Sequence, residues 1–268
     1  MPPDPIWQLE SLSAGYAKAR PAVHEVHATA HAGRLVAVLG PNAAGKTTLL
    51  RAMLGSLRPT QGQARLRGKP SHRIGAADLA QQLAWVPQST ADALGFSVAE
   101  LVGLGLTASG EKRTSPQSAQ RQHDALRLAD VQDLVARPIG RLSAGQRQRV
   151  VLARALAQCG PRCVSILADE PTAALDPPHA HAVLGVLRGL TRRADGPVSV
   201  VAVLHDLDLA AAYADDAWLM SDGKLVAAGP VGEVLTPERL EQAYGAAFTR
   251  DPPPDDRRAP RLARPALP

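Results

Sequence analysis

The chain has few cysteines: only Cys159 and Cys163 occur among its 268 residues, with three residues between them. A structural zinc site would need more ligands than the histidines near that pair supply, so reduced cytosolic thiols are the expectation. Long apolar runs are also missing. No stretch approaches the roughly 18 uninterrupted apolar residues of a membrane-spanning helix. The opening Met1-Pro2-Pro3-Asp4-Pro5 lacks the basic and apolar regions of a secretory signal, which points to the cytosol. Internal repeats and a long coiled coil are absent too. The net charge of +5 is not gathered into a basic stripe. Its arginines are scattered, several of them in a Pro-rich end, and this speaks against a nucleic-acid partner. Two histidine groups attract attention as metal ligands and lose it once placed on elements. His24, His27 and His31 fall on a strand, where His24 faces away from the other two, and His179 and His181 would not face each other on a helix. What remains is an ordinary globular composition, 45% apolar and 21% charged, long enough to bury a full core.

Into this background falls one specific pattern. Gly40-Pro41-Asn42-Ala43-Ala44-Gly45-Lys46-Thr47-Thr48 fits G-x-x-x-x-G-K-[ST], directly after the apolar run Arg34–Leu39 and before Leu50, Met53 and Leu54 at helical spacing. Strand, loop and helix in that order make a phosphate-binding loop: consecutive backbone N–H groups and the positive end of the helix dipole converge on it. Lys46 would reach the β- and γ-phosphates of a triphosphate, and the Thr47 hydroxyl would ligate Mg²⁺.

Other stretches take their place around it. Ile6–Ser13 and Ala22–Ala30 alternate loosely and predict a small antiparallel layer, with Tyr16 where it turns back; Gln63–Arg67 adds a short strand. Leu83–Pro87 predicts a buried strand ending at Gln88, whose side-chain carbonyl suits Mg²⁺ or an attacking water. Between about residues 89 and 160 the character becomes helical. A capping box opens this region at Ser97 with Glu100, and Leu142-Ser143-Ala144-Gly145-Gln146 begins another helix at which Ser143 is a natural N-cap. There the Ser143 hydroxyl and the Gly145 N–H form a second anion site. Val164–Ala168 predicts a core strand ending in Asp169-Glu170, carboxylates placed to divide metal binding from water activation. Val198–Leu204 predicts another, ended by His205, a residue able to hydrogen-bond a γ-phosphate. Asp222-Gly223 marks a hairpin, and Thr236-Pro237-Glu238 opens a last helix through Tyr244. Residues 250–268 are Pro/Arg-rich and expected to be disordered.

From about Ile6 to Phe248 the chain resembles the ATP-binding subunit of an ABC transporter. The resemblance implies an α/β fold: a P-loop NTPase (RecA-like) core with an N-terminal antiparallel β layer and an inserted helical subdomain, in one domain spanning residues 1–249. It implies ATP and Mg²⁺ as ligands. Tyr16 corresponds to the adenine-stacking aromatic, Gly40–Thr48 to Walker A, Gln88 to the Q-loop and Leu142–Gln146 to the signature. Asp169 corresponds to the Walker B aspartate, Glu170 to the catalytic base, Asp176 to the D-loop and His205 to the switch histidine. Ala43, Ala144 and Ala173 depart from the commonest pattern; the first two add a Cβ that disfavours a positive φ. Three stretches, Trp85–Thr90, Phe96–Val102 and Leu235–Leu240, look like those of iron–siderophore, haem or cobalamin importers. That narrower likeness implies two copies beneath an integral membrane permease dimer, on the cytoplasmic side of the inner membrane, supplied by a separate substrate-binding protein. The alternatives are the ATPase of another ABC transporter, such as one for zinc or manganese, and a non-transport ATPase acting on nucleic acid.

Overall fold

The structure is a computed structural model that describes residues 5–16, 21–88, 95–110, 115–194 and 196–248. Ser89, Thr90 and the 250–268 tail lie outside the described residues. β1 (Pro5–Ala14) and β2 (Val23–His31) pair antiparallel, and β3 (Leu35–Leu39) leads through the loop to α1 (Lys46–Met53). β4 (Gln61–Leu66) and β5 (Lys69–Pro70) complete a first sheet of order β2-β1-β4-β5. Alternation in β1 and β2 is loose for a structural reason. Ser11 and Glu25 adopt φ values of +46° and +47°, and the register shifts between Leu9 and Leu12, so buried Val23 and Val26 stand three apart.

Next come α2 (Ala76–Gln82), β6 (Leu83–Val86), α3 (Val98–Ala108), α4 (Pro116–Leu128), α5 (Ala144–Gln158) and β7 (Ser165–Asp169). The chain continues through α6 (Pro177–Thr191), β8 (Ser199–Val203), α7 (Leu207–Tyr213), β9 (Asp216–Ser221), β10 (Lys224–Pro230), α8 (Val231–Val234) and α9 (Pro237–Tyr244). The second sheet has the order β10-β9-β3-β8-β7-β6, parallel except for β10 at the edge. Every residue of β3, β7 and β8 is buried, as continuous apolar strands covered on both faces require.

One face of that sheet packs on α1 and the first sheet through Trp7, Leu12, Val36, Leu49 and Met53. Trp7 Nε1 donates to the buried Ser165 Oγ at 2.8 Å, satisfying the indole where the two sheets meet. The other face packs on helices through Leu35, Ala37, Val102, Val151, Leu184 and Leu187. The capping box at Ser97 forms: its hydroxyl accepts from the Glu100 N–H at 3.3 Å, and the Glu100 carboxylate accepts from the Ser97 N–H at 2.8 Å. At the predicted hairpin, Asp222 and Gly223 have φ of +47° and +74°, the two positive values that a tight primed turn needs. The strand order matters most for function. With β8 between β3 and β7, and β6 beyond, the carboxyl ends of four parallel strands deliver four loops to one edge.

Candidate active site

The phosphate loop leaves β3 at Gly40, where φ is +139° and a Cβ would sit 2.0 Å from the Met220 carbonyl oxygen. Gly45, with φ +93°, has the Ala22 carbonyl 2.5 Å from its would-be Cβ and precedes α1 with no side-chain cap. The first N–H groups of α1 are therefore left for a ligand. Ala43 corrects an expectation: its Cβ was a reason against a left-handed backbone, yet φ there is +63°. The residue is exposed, so its methyl meets no wall and only the local strain of about 1–2 kcal/mol applies. Ala144, by contrast, is the first residue of α5 and needs no positive φ.

Lys46 is buried with its Nζ donating to the Gly40 and Pro41 carbonyls at 2.7 and 2.8 Å. Burial lowers its pKa, against the opposing pull of Glu170 and Asp169. Thr47 Oγ1 donates to Asp169 Oδ1 at 3.1 Å. Asp169 is buried at the end of β7, and burial raises its pKa although the Thr47 hydrogen bond works the other way. Glu170, with φ +51°, turns its carboxylate between two donors: Gln88 Nε2 at 2.8 Å from Oε2 and His205 Nε2 at 2.7 Å from Oε1.

Asn42, Ala43, Ala44, Gly45, Lys46, Thr47 and Thr48 line a cleft of about 180 Å³ together with Ala22, Glu170 and His205. Tyr16 stands apart, on a wider depression of about 1000 Å³ shared with His24, Arg58 and Lys224. Its ring is exposed, its hydroxyl accepts from Arg51 Nη1, and the Arg51 guanidinium carbon lies 5.9 Å from the ring centroid. Since Arg51 belongs to α1, the aromatic is tethered to the helix that the loop begins.

The signature residues lie elsewhere. Ser143 caps α5, its hydroxyl accepting from the Gln146 N–H at 3.2 Å while Gln146 Oε1 accepts from the Ser143 N–H at 3.0 Å. Gly145 abuts its own chain, a Cβ there falling 3.0 Å from the Ala174 carbonyl. None of the three lines the phosphate cleft. Asp176 caps α6 through the His179 N–H at 3.2 Å. One contributor escapes the motif reading: Gln148, buried on α5, donates from Nε2 to the Glu170 carbonyl at 3.3 Å. Its signal in the sequence is a polar side chain on the helix face shared with Val151 and Ala155.

A glycine-rich loop entering a helix, with two carboxylates at the end of the strand two places away in the sheet, defines a P-loop nucleoside triphosphatase. Residues 23–173 match the family described as ABC transporter, and the chain belongs to that family, as an ATP-hydrolysing cassette. It is 41% identical over 231 residues to a hemin import ATP-binding protein of Pseudomonas entomophila, covering 83% of this chain and 86% of that protein. It is 40% identical over 222 residues to a cobalamin import ATP-binding protein of Halobacterium salinarum. That match covers 83% of this chain but spans only 54% of the larger relative. Among solved structures, a dimeric bacterial ABC transporter cassette superposes with a TM-score of 0.74 at 25% identity, covering 84% of this chain and 98% of that one.

Proposed function

We propose that this chain energises an importer of haem or cobalamin, and that Lys46, Thr47, Gln88, Asp169, Glu170 and His205 carry its ATP hydrolysis. The observation behind the chemistry is that Gln88 and His205, from the ends of β6 and β8, flank the Glu170 carboxylate at the end of β7, beside the phosphate loop that follows β3. The loop N–H groups and the start of α1 hold the phosphates, and Lys46 exchanges two backbone carbonyls for phosphate oxygens. The oxygen donors Thr47 and Asp169, already in contact, suit a hard cation, with the Gln88 carbonyl as a further ligand. Magnesium, when bound, neutralises charge on the β- and γ-phosphate oxygens. Glu170 accepts the proton of the attacking water; Gln88 and His205 orient its two oxygens, and Gln148 fixes its backbone. Tyr16 stacks on adenine.

Ser143, Gly145 and Gln146 cover ATP bound to a second copy, a reading supported by their absence from the lining of their own chain's cleft. Residues 1–249 act as the ATPase domain, and the helical stretch from about 89 to 160 docks a permease dimer at the cytoplasmic face of the inner membrane. A separate substrate-binding protein delivers cargo to that permease, and nucleic acid is not a partner. Among the described residues no helix is long and apolar enough to cross a membrane. The relatives' names weigh toward haem and cobalamin over an iron–siderophore.

The chemistry is tested by Glu170→Gln, which should keep ATP binding and lower turnover by roughly 10²- to 10⁴-fold. Near-normal turnover would remove Glu170 from the role. Cargo is tested by isolating the permease that co-purifies and measuring ATP-driven uptake of haem and of cobalamin in liposomes holding the complex. Uptake of neither, with ATPase intact, would overturn the cargo and leave the hydrolysis standing.

A further inference from the structure

Gly40 is engaged on every side. Its carbonyl accepts from Lys46 Nζ at 2.7 Å, its Cα packs against the Met220 backbone too closely for any Cβ, and its N–H donates to the Tyr244 hydroxyl at 3.1 Å. That last partner comes from α9, far along the chain. The helix is anchored by buried Leu240 and Ala243, and by Ser221 Oγ donating to the Ala243 carbonyl at 3.1 Å. The Tyr244 ring packs on Phe248, centroids 5.6 Å apart, which fixes where its hydroxyl points. We propose that Tyr244 is a positioning residue for ATP binding: its hydroxyl holds the first peptide of the phosphate loop and so couples α9 to the nucleotide site.

The physical reason lies in what happens to Gly40 when ATP arrives. Lys46 must give up the Gly40 and Pro41 carbonyls to reach phosphate, which removes the bonds that now brace the loop entry from inside. The backbone there has a φ open only to glycine, the residue with most freedom to turn away. A neutral hydroxyl accepting the Gly40 N–H keeps that peptide in place from outside. Burial raises the Tyr244 pKa, so the phenol stays protonated throughout the working range. Because the held peptide precedes the residues that cradle the phosphates, a loss of the hydroxyl should show in binding, and equally for di- and triphosphate.

The proposal rests on the reading of Gly40–Thr48 as the ATP site. Its test uses the full chain, with Mg·ADP and Mg·AMP-PNP as probes in calorimetry. Tyr244→Phe keeps the ring against Phe248 and removes one oxygen. Both nucleotides should bind roughly three- to tenfold more weakly, the ordinary worth of one hydrogen bond. KM for ATP should rise by the same factor with kcat changed less than about twofold, the mark of lost uniform binding. Amide exchange at Gly40 should quicken while that of α9 does not, which separates loss of the hydroxyl's bond from loosening of the helix. Unchanged affinity for both nucleotides, whatever the Gly40 exchange, would overturn the proposal. If α9 amides also quicken, Ser221→Ala decides. That variant loosens α9 yet leaves the hydroxyl, so an equal loss of affinity overturns the hydroxyl's role and a smaller one supports it. Lys46→Ala, run beside these, should lose binding far more severely. Undiminished binding in Lys46→Ala would sink the loop as the ATP site, an outcome distinct from a silent Tyr244→Phe.

Discussion

At the scale of the residue, Asp169 shows what the site demands of the fold. Asp169 is buried at the end of β7, and burial raises its carboxyl pKa above the ordinary carboxylate value of roughly 4. A carboxyl raised on folding is penalised when ionised: the penalty is absent below the unfolded pKa, grows as pH rises, and is full above the folded pKa. Asp169→Asn keeps an oxygen for the Thr47 hydroxyl and removes the charge. The nucleotide-free variant should therefore melt above the wild type at pH 8, by roughly 2–4 °C for each 1 kcal/mol relieved. The gain should shrink as pH falls toward 4. Calorimetric melts at the two pH values check the sign, and Mg·ATP titrations of the same samples should show weakened binding. An equal or lower melting temperature at pH 8 would mean that the hydrogen bond outweighs the burial. On the proposed reading of Asp169 as a cation ligand, the destabilised carboxylate is relieved when the cation binds.

At the scale of the element, the same capping chemistry serves two helices with different duties. Ser97 caps α3 and Ser143 caps α5, each inside a capping box. Ser97→Ala and Ser143→Ala should each cost roughly 0.5–2 kcal/mol of stability by urea unfolding. If Ser143 also covers a partner's ATP, only its variant should lower the ATPase rate at a temperature where both are fully folded; equal rates would reduce Ser143 to a cap. These two helix starts are legible in the sequence because a cap is a local device, written in four residues. The buried strands β3, β7 and β8 are legible for a similar reason, each being an unbroken apolar run flanked by polar loop residues. α2 is not. None of its seven residues is fully buried and Leu79 alone packs against the core, so it is too short and too exposed for periodicity to single out. The bond between Tyr244 and Gly40 is hidden for another reason: it joins residues 204 apart, and only the sheet order brings α9 to the loop. Ala43 takes the positive φ that its Cβ disfavours because at an exposed turn that strain is small enough to bear.

At the scale of the whole molecule, only one of two helix starts read as anion sites lines the phosphate cleft. α1 begins at the cleft with Lys46 and Thr47, while α5 begins at Ser143 with its Gly145 against the Ala174 carbonyl. On the shared-site proposal, a second copy related by a two-fold axis places each α5 start over the other chain's loop and builds two equal sites from two chains. That arrangement makes a prediction no single-chain site shares. A Lys46→Ala chain lacks the phosphate ligand and a Ser143→Arg chain lacks the cover, so each alone should be nearly inactive. In a mixed dimer the lesions segregate, one site receiving both and the other neither. At equal concentrations with free exchange, half the dimers are mixed and each has one sound site, so activity should recover to about one quarter of the wild-type rate if sites act independently. Recovery below that value, with mixed dimers verified by pull-down on two tags, would mean that both sites must be sound for either to turn over. A strictly monomeric form, confirmed by sedimentation at the assay concentration, that hydrolysed ATP at the full rate would exclude the shared site altogether.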